Sequence, residues 1–126
     1  MMPSVLYVED TETMQNIYGF ALKKEGFDVT IVGTAGEALA RIEDFTYDIV
    51  LVDMMLSGMS GLDFLSQAKI TDKHPSTKII ALSNVDSPNI IDKAKAFGVT
   101  EYLVKAQYEP PQLATHLKEV LNSTHK

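Results

Sequence analysis

The sequence predicts an α/β fold: a (βα)5 doubly wound, five-stranded parallel sheet with helices on both faces. Three observations predict it. Five short apolar runs recur along the 126 residues, none longer than a strand. Each run is followed by apolar residues at helical spacing. The links between them are short, and right-handed crossovers then leave few other topologies.

Val5-Leu6-Tyr7-Val8 is the first run, continuous as expected of a strand covered on both faces. Met14, Ile17, Tyr18, Ala21 and Leu22 then form a helical stripe that ends at Gly26, a suitable residue for the position after a helix. Phe27 to Val32 is aromatic and β-branched, hence the second strand. Thr34-Ala35-Gly36-Glu37 has the capping-box form and opens a helix carrying Ala38, Leu39 and Ile42. Ile49 to Val52 is the third strand, and Leu62, Leu65 and Ala68 mark the third helix behind Gly61. Lys78 to Leu82 is the fourth strand. Ser87-Pro88 supplies an N-cap and a first-turn proline for a helix running to Phe97, before Gly98. Tyr102-Leu103-Val104 is the fifth strand, and Leu113, Leu117, Val120 and Leu121 stripe a last helix after Pro110-Pro111. Asn122 to Lys126 reads as a fraying end or the start of a linker.

Composition narrows the function. The length suits one domain over residues 1–126, with a core at about residues 4–122, and within it there is no room for a separate catalytic domain plus an output domain. Forty-five per cent of the residues are hydrophobic, enough for a core without disulfides. Cysteine is absent, which excludes a disulfide framework, a thiol nucleophile and Cys-ligated metal sites. The net charge of −6 argues against direct contact with nucleic acid or an anionic membrane. No apolar run approaches a transmembrane length, and the N-terminus lacks the pattern of a signal peptide, so a cytoplasmic location is expected.

In open α/β sheets, ligands bind beyond the carboxyl ends of the strands. The residue after each apolar run is therefore the one to inspect. Glu9-Asp10 follow the first strand, Asp53 the third, Ser83-Asn84 the fourth and Lys105 the fifth. Taken singly these have ordinary explanations: helix capping for the acids, turn chemistry for the serine, a solvated charge for the lysine. Together they do not. Two carboxylates about 4–5 Å apart repel by roughly 3–4 kcal/mol at an effective dielectric near 20. A hard divalent cation with oxygen ligands relieves that repulsion, and Lys105 adds a positive charge for an incoming anion. Carboxylates, Mg²⁺, a hydroxyl and a lysine are together the parts needed for phosphoryl transfer.

These residues resemble the receiver domain of a two-component response regulator, of the chemotaxis-regulator type. The likeness runs from Val5 to Leu121. It rests on Val8-Glu9-Asp10 ending the first strand, on Asp53 followed by Met54-Met55-Leu56-Ser57-Gly58-Met59-Ser60-Gly61, on Ser83, and on Tyr102-Leu103-Val104-Lys105. The resemblance implies a flavodoxin-like strand order, 2-1-3-4-5. It implies that Asp53 is the phosphoacceptor, taking a phosphoryl group from the phosphohistidine of a histidine kinase or phosphotransfer protein. Mg²⁺ (or Mn²⁺) would be held by Asp10 and Asp53, by the Met55 backbone carbonyl, and by Glu9 through water. Lys105 and the Ser83 hydroxyl would bind phosphoryl oxygens, and Tyr102 would be the aromatic switch that turns inward when Ser83 moves. The face of the fourth helix, fifth strand and fifth helix would then engage a downstream protein target or output domain, or form a phosphorylation-linked homodimer. Side chains two beyond the phosphoacceptor and two beyond the switch hydroxyl, here Met55 and Val85, flank the approach of hydrolytic water in the family. Both are apolar.

The chain departs from the family pattern at three places. Ser57 stands where a proline is usual, Asn84 where a small residue is usual, and Ala106 where a proline follows the lysine, often through a cis bond. A cis bond before a non-proline residue costs about 3 kcal/mol or more, so the turn at Lys105 is either trans and re-aimed or strained. Other readings are weaker. A degenerate receiver that binds partners without phosphorylation would not need all five chemical positions filled. An Asp-nucleophile phosphatase would want a second carboxylate two residues on, where Met55 stands. Gly33-Thr34-Ala35-Gly36 lacks phosphate-loop spacing and is better explained by helix capping. His74, His116 and His125 have no metal-ligand spacing. Met54, Met55 and Met59 read as packing residues.

Overall fold

A computed structural model of the chain describes residues 2–56, 58–84 and 87–123. Strands β1 (Ser4–Val8), β2 (Asp28–Val32), β3 (Ile49–Asp53), β4 (Lys78–Ser83) and β5 (Glu101–Val104) form one sheet in the order β2-β1-β3-β4-β5. Every neighbouring pair is parallel. Helices α1 (Glu12–Lys24), α2 (Ala35–Asp44), α3 (Gly61–Ala68) and α4 (Pro88–Ala96) lie in the four crossovers, and α5 (Pro110–Ser123) follows the last strand.

The continuous apolar runs are explained by burial on both faces. Alternate strand residues enter two separate cores. Leu6, Val8, Val50, Val52, Ile79 and Ala81 pack with residues of α2, α3 and α4. Tyr7, Ile49, Leu51, Ile80, Leu82 and Leu103 pack with residues of α1 and α5. The buried face of α1 is Tyr18, Ala21 and Leu22; Ile17, expected in that stripe, is 44% exposed beside Phe20 at 69%. A helix laid on a sheet buries only its central rows, and Ile17 falls on the flank.

Local signals match their elements. The Thr34 hydroxyl accepts the Glu37 backbone N–H at 3.1 Å, so the glycine-flanked segment before α2 is a cap. The box differs in one detail: Thr34 Oγ1 donates to the Glu37 carboxylate at 3.3 Å, a side-chain pair in place of the expected reach back to the N-cap backbone. Gly26 has φ +101° after α1, a conformation that favours glycine. Pro88 opens α4 as expected, although Ser87 makes no side-chain cap hydrogen bond. Two short features lie outside the sequence expectation. Lys69 turns left-handed (φ 49°) after α3 and starts a helical turn, Ile70–Lys73, that buries Ile70. Lys105–Gln107 forms one 3-10 turn after β5. The last helix also runs through Asn122 to Ser123, past the point where fraying was expected.

Candidate functional site

The sheet register assembles the site. Val8 pairs with Val52 and Asp53 with Leu82, so the ends of β1, β3 and β4 lie level. Glu9 continues the face of Tyr7 and Asp53 that of Leu51, the α1/α5 side of the sheet. Carboxylate oxygens of Glu9, Asp10 and Asp53 lie within 4.8 Å of one another. At that separation two carboxylates repel by about 3–4 kcal/mol at an effective dielectric near 20. Lys105 offsets the repulsion: its Nζ donates to Glu9 Oε1 at 3.1 Å and to Asp53 Oδ2 at 3.3 Å.

Glu9 is wholly buried and held by three donors. Oε1 accepts from the Tyr7 hydroxyl at 3.1 Å as well as from Lys105, and Oε2 accepts the Thr11 backbone N–H at 3.1 Å. Burial, then the nearby Asp53, pushes the Glu9 carboxyl above the usual carboxylate range, against the opposing pull of Lys105. Burial pulls the Lys105 ammonium down, but Asp53 and Glu9 outweigh it and the net shift is upward, so the lysine stays charged. Burial and the adjacent Glu9 raise the Tyr7 phenol, which therefore remains a donor. Asp53 is buried at the end of β3, and its Oδ1 accepts the Met55 backbone N–H at 2.9 Å.

The remaining expected residues fall as follows. Ser83 is fully buried at the end of β4. It pairs with Val104, and Ala81 pairs with Tyr102, so Ser83 and Tyr102 share a sheet face on a diagonal. Tyr102 is half-buried against the α2/α3/α4 core. The Met55 side chain is 60% exposed and Asn84 is exposed. The Lys105–Ala106 bond is trans, and the lysine reaches both carboxylates from the first residue of the 3-10 turn. Val85 and Ser57 lie outside the described residues, as does His125. His74 bonds Thr46 and the Ile42 carbonyl, whereas His116 bonds Glu101; the two are in separate places.

Two supports were not read from the sequence. Tyr7 is one, hidden inside an apolar run. The close approach at Gly61, read from the sequence only as a helix-start and motif residue, is the other: a Cβ there would sit 2.7 Å from Met54 Cα and 3.2 Å from the Asp53 carbonyl oxygen. The start of α3 thus presses on the backbone that carries Asp53. An all-oxygen set of three carboxylates in reach of one another is the donor chemistry of a hard divalent cation.

The model of the response regulator receiver domain family matches residues 5–118. Sensory transduction protein RegX3 of Mycolicibacterium smegmatis is 39% identical over 122 residues, covering 95% of this chain and 51% of that protein. Phosphate regulon transcriptional regulatory protein PhoB of Rhizobium meliloti is 27% identical over 121 residues, covering 96% of this chain and 53% of that protein. The chain thus spans about half the length of the curated relatives it matches. Among solved structures, a CheY-like receiver domain protein of Methanospirillum hungatei superposes with TM-score 0.88 at 28% identity, over 98% of this chain and 96% of that one. Chemotaxis protein CheY4 of Vibrio cholerae gives 0.86 at 28% identity, over 95% and 99%. No helix among the described residues is long and apolar enough to cross a membrane. A match over nearly the whole sheet, with the acidic cluster and its lysine at the carboxyl edge, establishes that this chain belongs to the response regulator receiver domain family, whose members are signalling domains of two-component systems and not conventional enzymes.

Proposed function

We propose that the chain is a single receiver domain, with its core at about residues 4–122, that switches on phosphorylation of Asp53. The observation that carries this reading is the meeting of three carboxylates, two of them buried, with one ammonium, Lys105 Nζ standing 3.1 Å from Glu9 and 3.3 Å from Asp53. A carboxylate oxygen of Asp53 attacks the phosphorus of a phosphohistidine on a histidine kinase or phosphotransfer protein. An O–P bond forms as the N–P bond breaks, and the imidazole leaves with the bonding pair and takes up a proton. Asp10, Asp53, the Met55 carbonyl and, through water, Glu9 would hold Mg²⁺ (or Mn²⁺), which when bound neutralises charge on the phosphoryl oxygens. Lys105 moves from the carboxylates to a phosphoryl oxygen, and the Ser83 hydroxyl binds another.

The withdrawal of Ser83 opens space on the sheet face that it shares with Tyr102. A covalent phosphoryl group need shift the balance between two packings by only a few kcal/mol for the ring to turn inward. The surface of α4, β5 and α5 then meets a downstream protein or an output domain, or a second phosphorylated copy. The transcriptional role in the PhoB name fits such an output domain, while the acidic receiver itself makes no direct nucleic-acid contact. Incubation with Mg²⁺ and acetyl phosphate, followed by intact mass, tests the reading. The native protein should gain one phosphoryl group and Asp53→Asn none. Equal phosphorylation of both would remove Asp53 from its role, and a native protein that binds no Mg²⁺ would favour a phosphorylation-independent interaction module.

A further inference from the structure

We propose that Tyr7 is a positioning residue whose hydroxyl holds Glu9 so that Lys105 is free to leave for the phosphoryl group. The inference rests on the phosphorylation reading above and concerns a residue which that reading does not use. Glu9 is 0% exposed, so a donor lost from its carboxylate is not replaced by bulk water. Its Oε1 is shared by Tyr7 and Lys105, both at 3.1 Å, and its Oε2 is occupied by the Thr11 N–H. When Lys105 departs, the Tyr7 hydroxyl is the side-chain donor that stays on Oε1 among these three.

Tyr7 is well placed to stay. It is fully buried in β1, and positions two apart on a strand share a face, so the hydroxyl points along the strand to Glu9 without help from a loop. Its ring meets Tyr18 of α1 edge to face at 6.5 Å. Tyr18 in turn donates to the Tyr108 carbonyl at 3.4 Å, just beyond the 3-10 turn that starts at Lys105. The donor on Glu9 and the segment bearing the lysine are therefore braced by one aromatic pair. Without the hydroxyl, Glu9 would retain Lys105 as its main side-chain partner and compete with the phosphoryl oxygens for it.

The test is beryllofluoride binding, a phosphoryl mimic that draws Lys105, measured by calorimetry at saturating Mg²⁺ on four proteins: native, Tyr7→Phe, Lys105→Met and the double variant. Phenylalanine keeps the ring, so the fold is preserved. Tyr7→Phe should weaken binding about tenfold, the size of a hydrogen bond to a charged group. In the Lys105→Met background, with no lysine to release, the same change should cost less than about twofold to threefold. Equal losses in both backgrounds would mean that Tyr7 only shapes the site, and no loss in the native background would mean that it does nothing for the switch; either overturns the proposal. Where Lys105→Met binds too weakly to measure, the phosphorylation rates of the four proteins with acetyl phosphate give the same comparison. If the native protein bound neither Mg²⁺ nor beryllofluoride, the phosphorylation reading would fail, an outcome distinct from a native protein that binds both and is indifferent to Tyr7→Phe.

Discussion

Lys105→Met is the perturbation that best separates a working lysine from a solvated charge. Its ammonium lies 3.1 Å from Glu9 and 3.3 Å from Asp53, with the side chain only 12% exposed. At an effective dielectric near 20 each pairing is worth about 5 kcal/mol of attraction, much of it spent on desolvation. Methionine keeps the aliphatic packing and removes the charge. Deleting one partner of a buried pair costs about 3–5 kcal/mol. Glu9, whose carboxyl is already pushed upward by burial and by Asp53, can take up a proton, so the loss should fall at the lower end.

The expected result without metal is therefore a loss of about 3 kcal/mol, or roughly 10 °C in Tm for a domain of this size. Mg²⁺ should move the other way. In the proposed site the ammonium competes with a bound cation for the charge of the Glu9 and Asp53 carboxylates, so the variant should bind Mg²⁺ at least about tenfold more tightly, worth about 1.4 kcal/mol. Urea melts across a Mg²⁺ series read both quantities, because a ligand that binds only the folded state stabilises it as its concentration exceeds Kd. A stability within about 0.5 kcal/mol of native, or Mg²⁺ bound more weakly by the variant, would refute the reasoning.

Three further outcomes follow from the geometry. Gly61→Ala should cost about 1–3 kcal/mol in urea melts, because its Cβ meets Met54 Cα at 2.7 Å and backbone cannot step aside; a neutral result would show that α3 slides freely at its start. Lys105 titrates above its ordinary value in the fold, so its stabilisation is complete below pH 10.5 and is lost as pH rises through the folded value. The stability gap between native and Lys105→Met should then narrow above pH 10.5 in metal-free buffer, and a constant gap would contradict it. Met55, 60% exposed and bonded through its N–H to Asp53, offers no polar group to orient hydrolytic water. Met55→Asn should speed loss of the phosphoryl group about tenfold, or roughly 1.4 kcal/mol on the barrier; the companion change Val85→Glu should act in the same direction, and unchanged or slower rates would refute an apolar gate.

What the sequence made legible, and what it concealed, follows from where each residue stands in a doubly covered parallel sheet. Two-sided burial makes most of the strands short apolar runs, so they are conspicuous, and the first polar residues after them mark the carboxyl edge of the sheet. Glu9, Asp10, Asp53, Ser83 and Lys105 stood out as candidates for that reason, and the structure brings Glu9, Asp10, Asp53 and Lys105 together. The same rule misplaced two strand ends by one residue, because Asp53 and Ser83 still pair in the ladder, with Leu82 and Val104. It could not distinguish a trans from a cis turn at Ala106, since the 3-10 turn that aims Lys105 depends on contacts distant in sequence. The Ile70–Lys73 turn was invisible because one buried isoleucine among polar residues carries no period. Tyr7 was hidden for the opposite reason. Inside a run, an aromatic ring satisfies the hydrophobic pattern completely, and its hydroxyl adds nothing to the count. The signal lies in the spacing: residues two apart on a strand share a face, so a tyrosine two before a terminal acid has its hydroxyl within reach of that carboxylate. In a strand buried on both sides, such a pair has no water to turn to, and each group is then the other's natural partner.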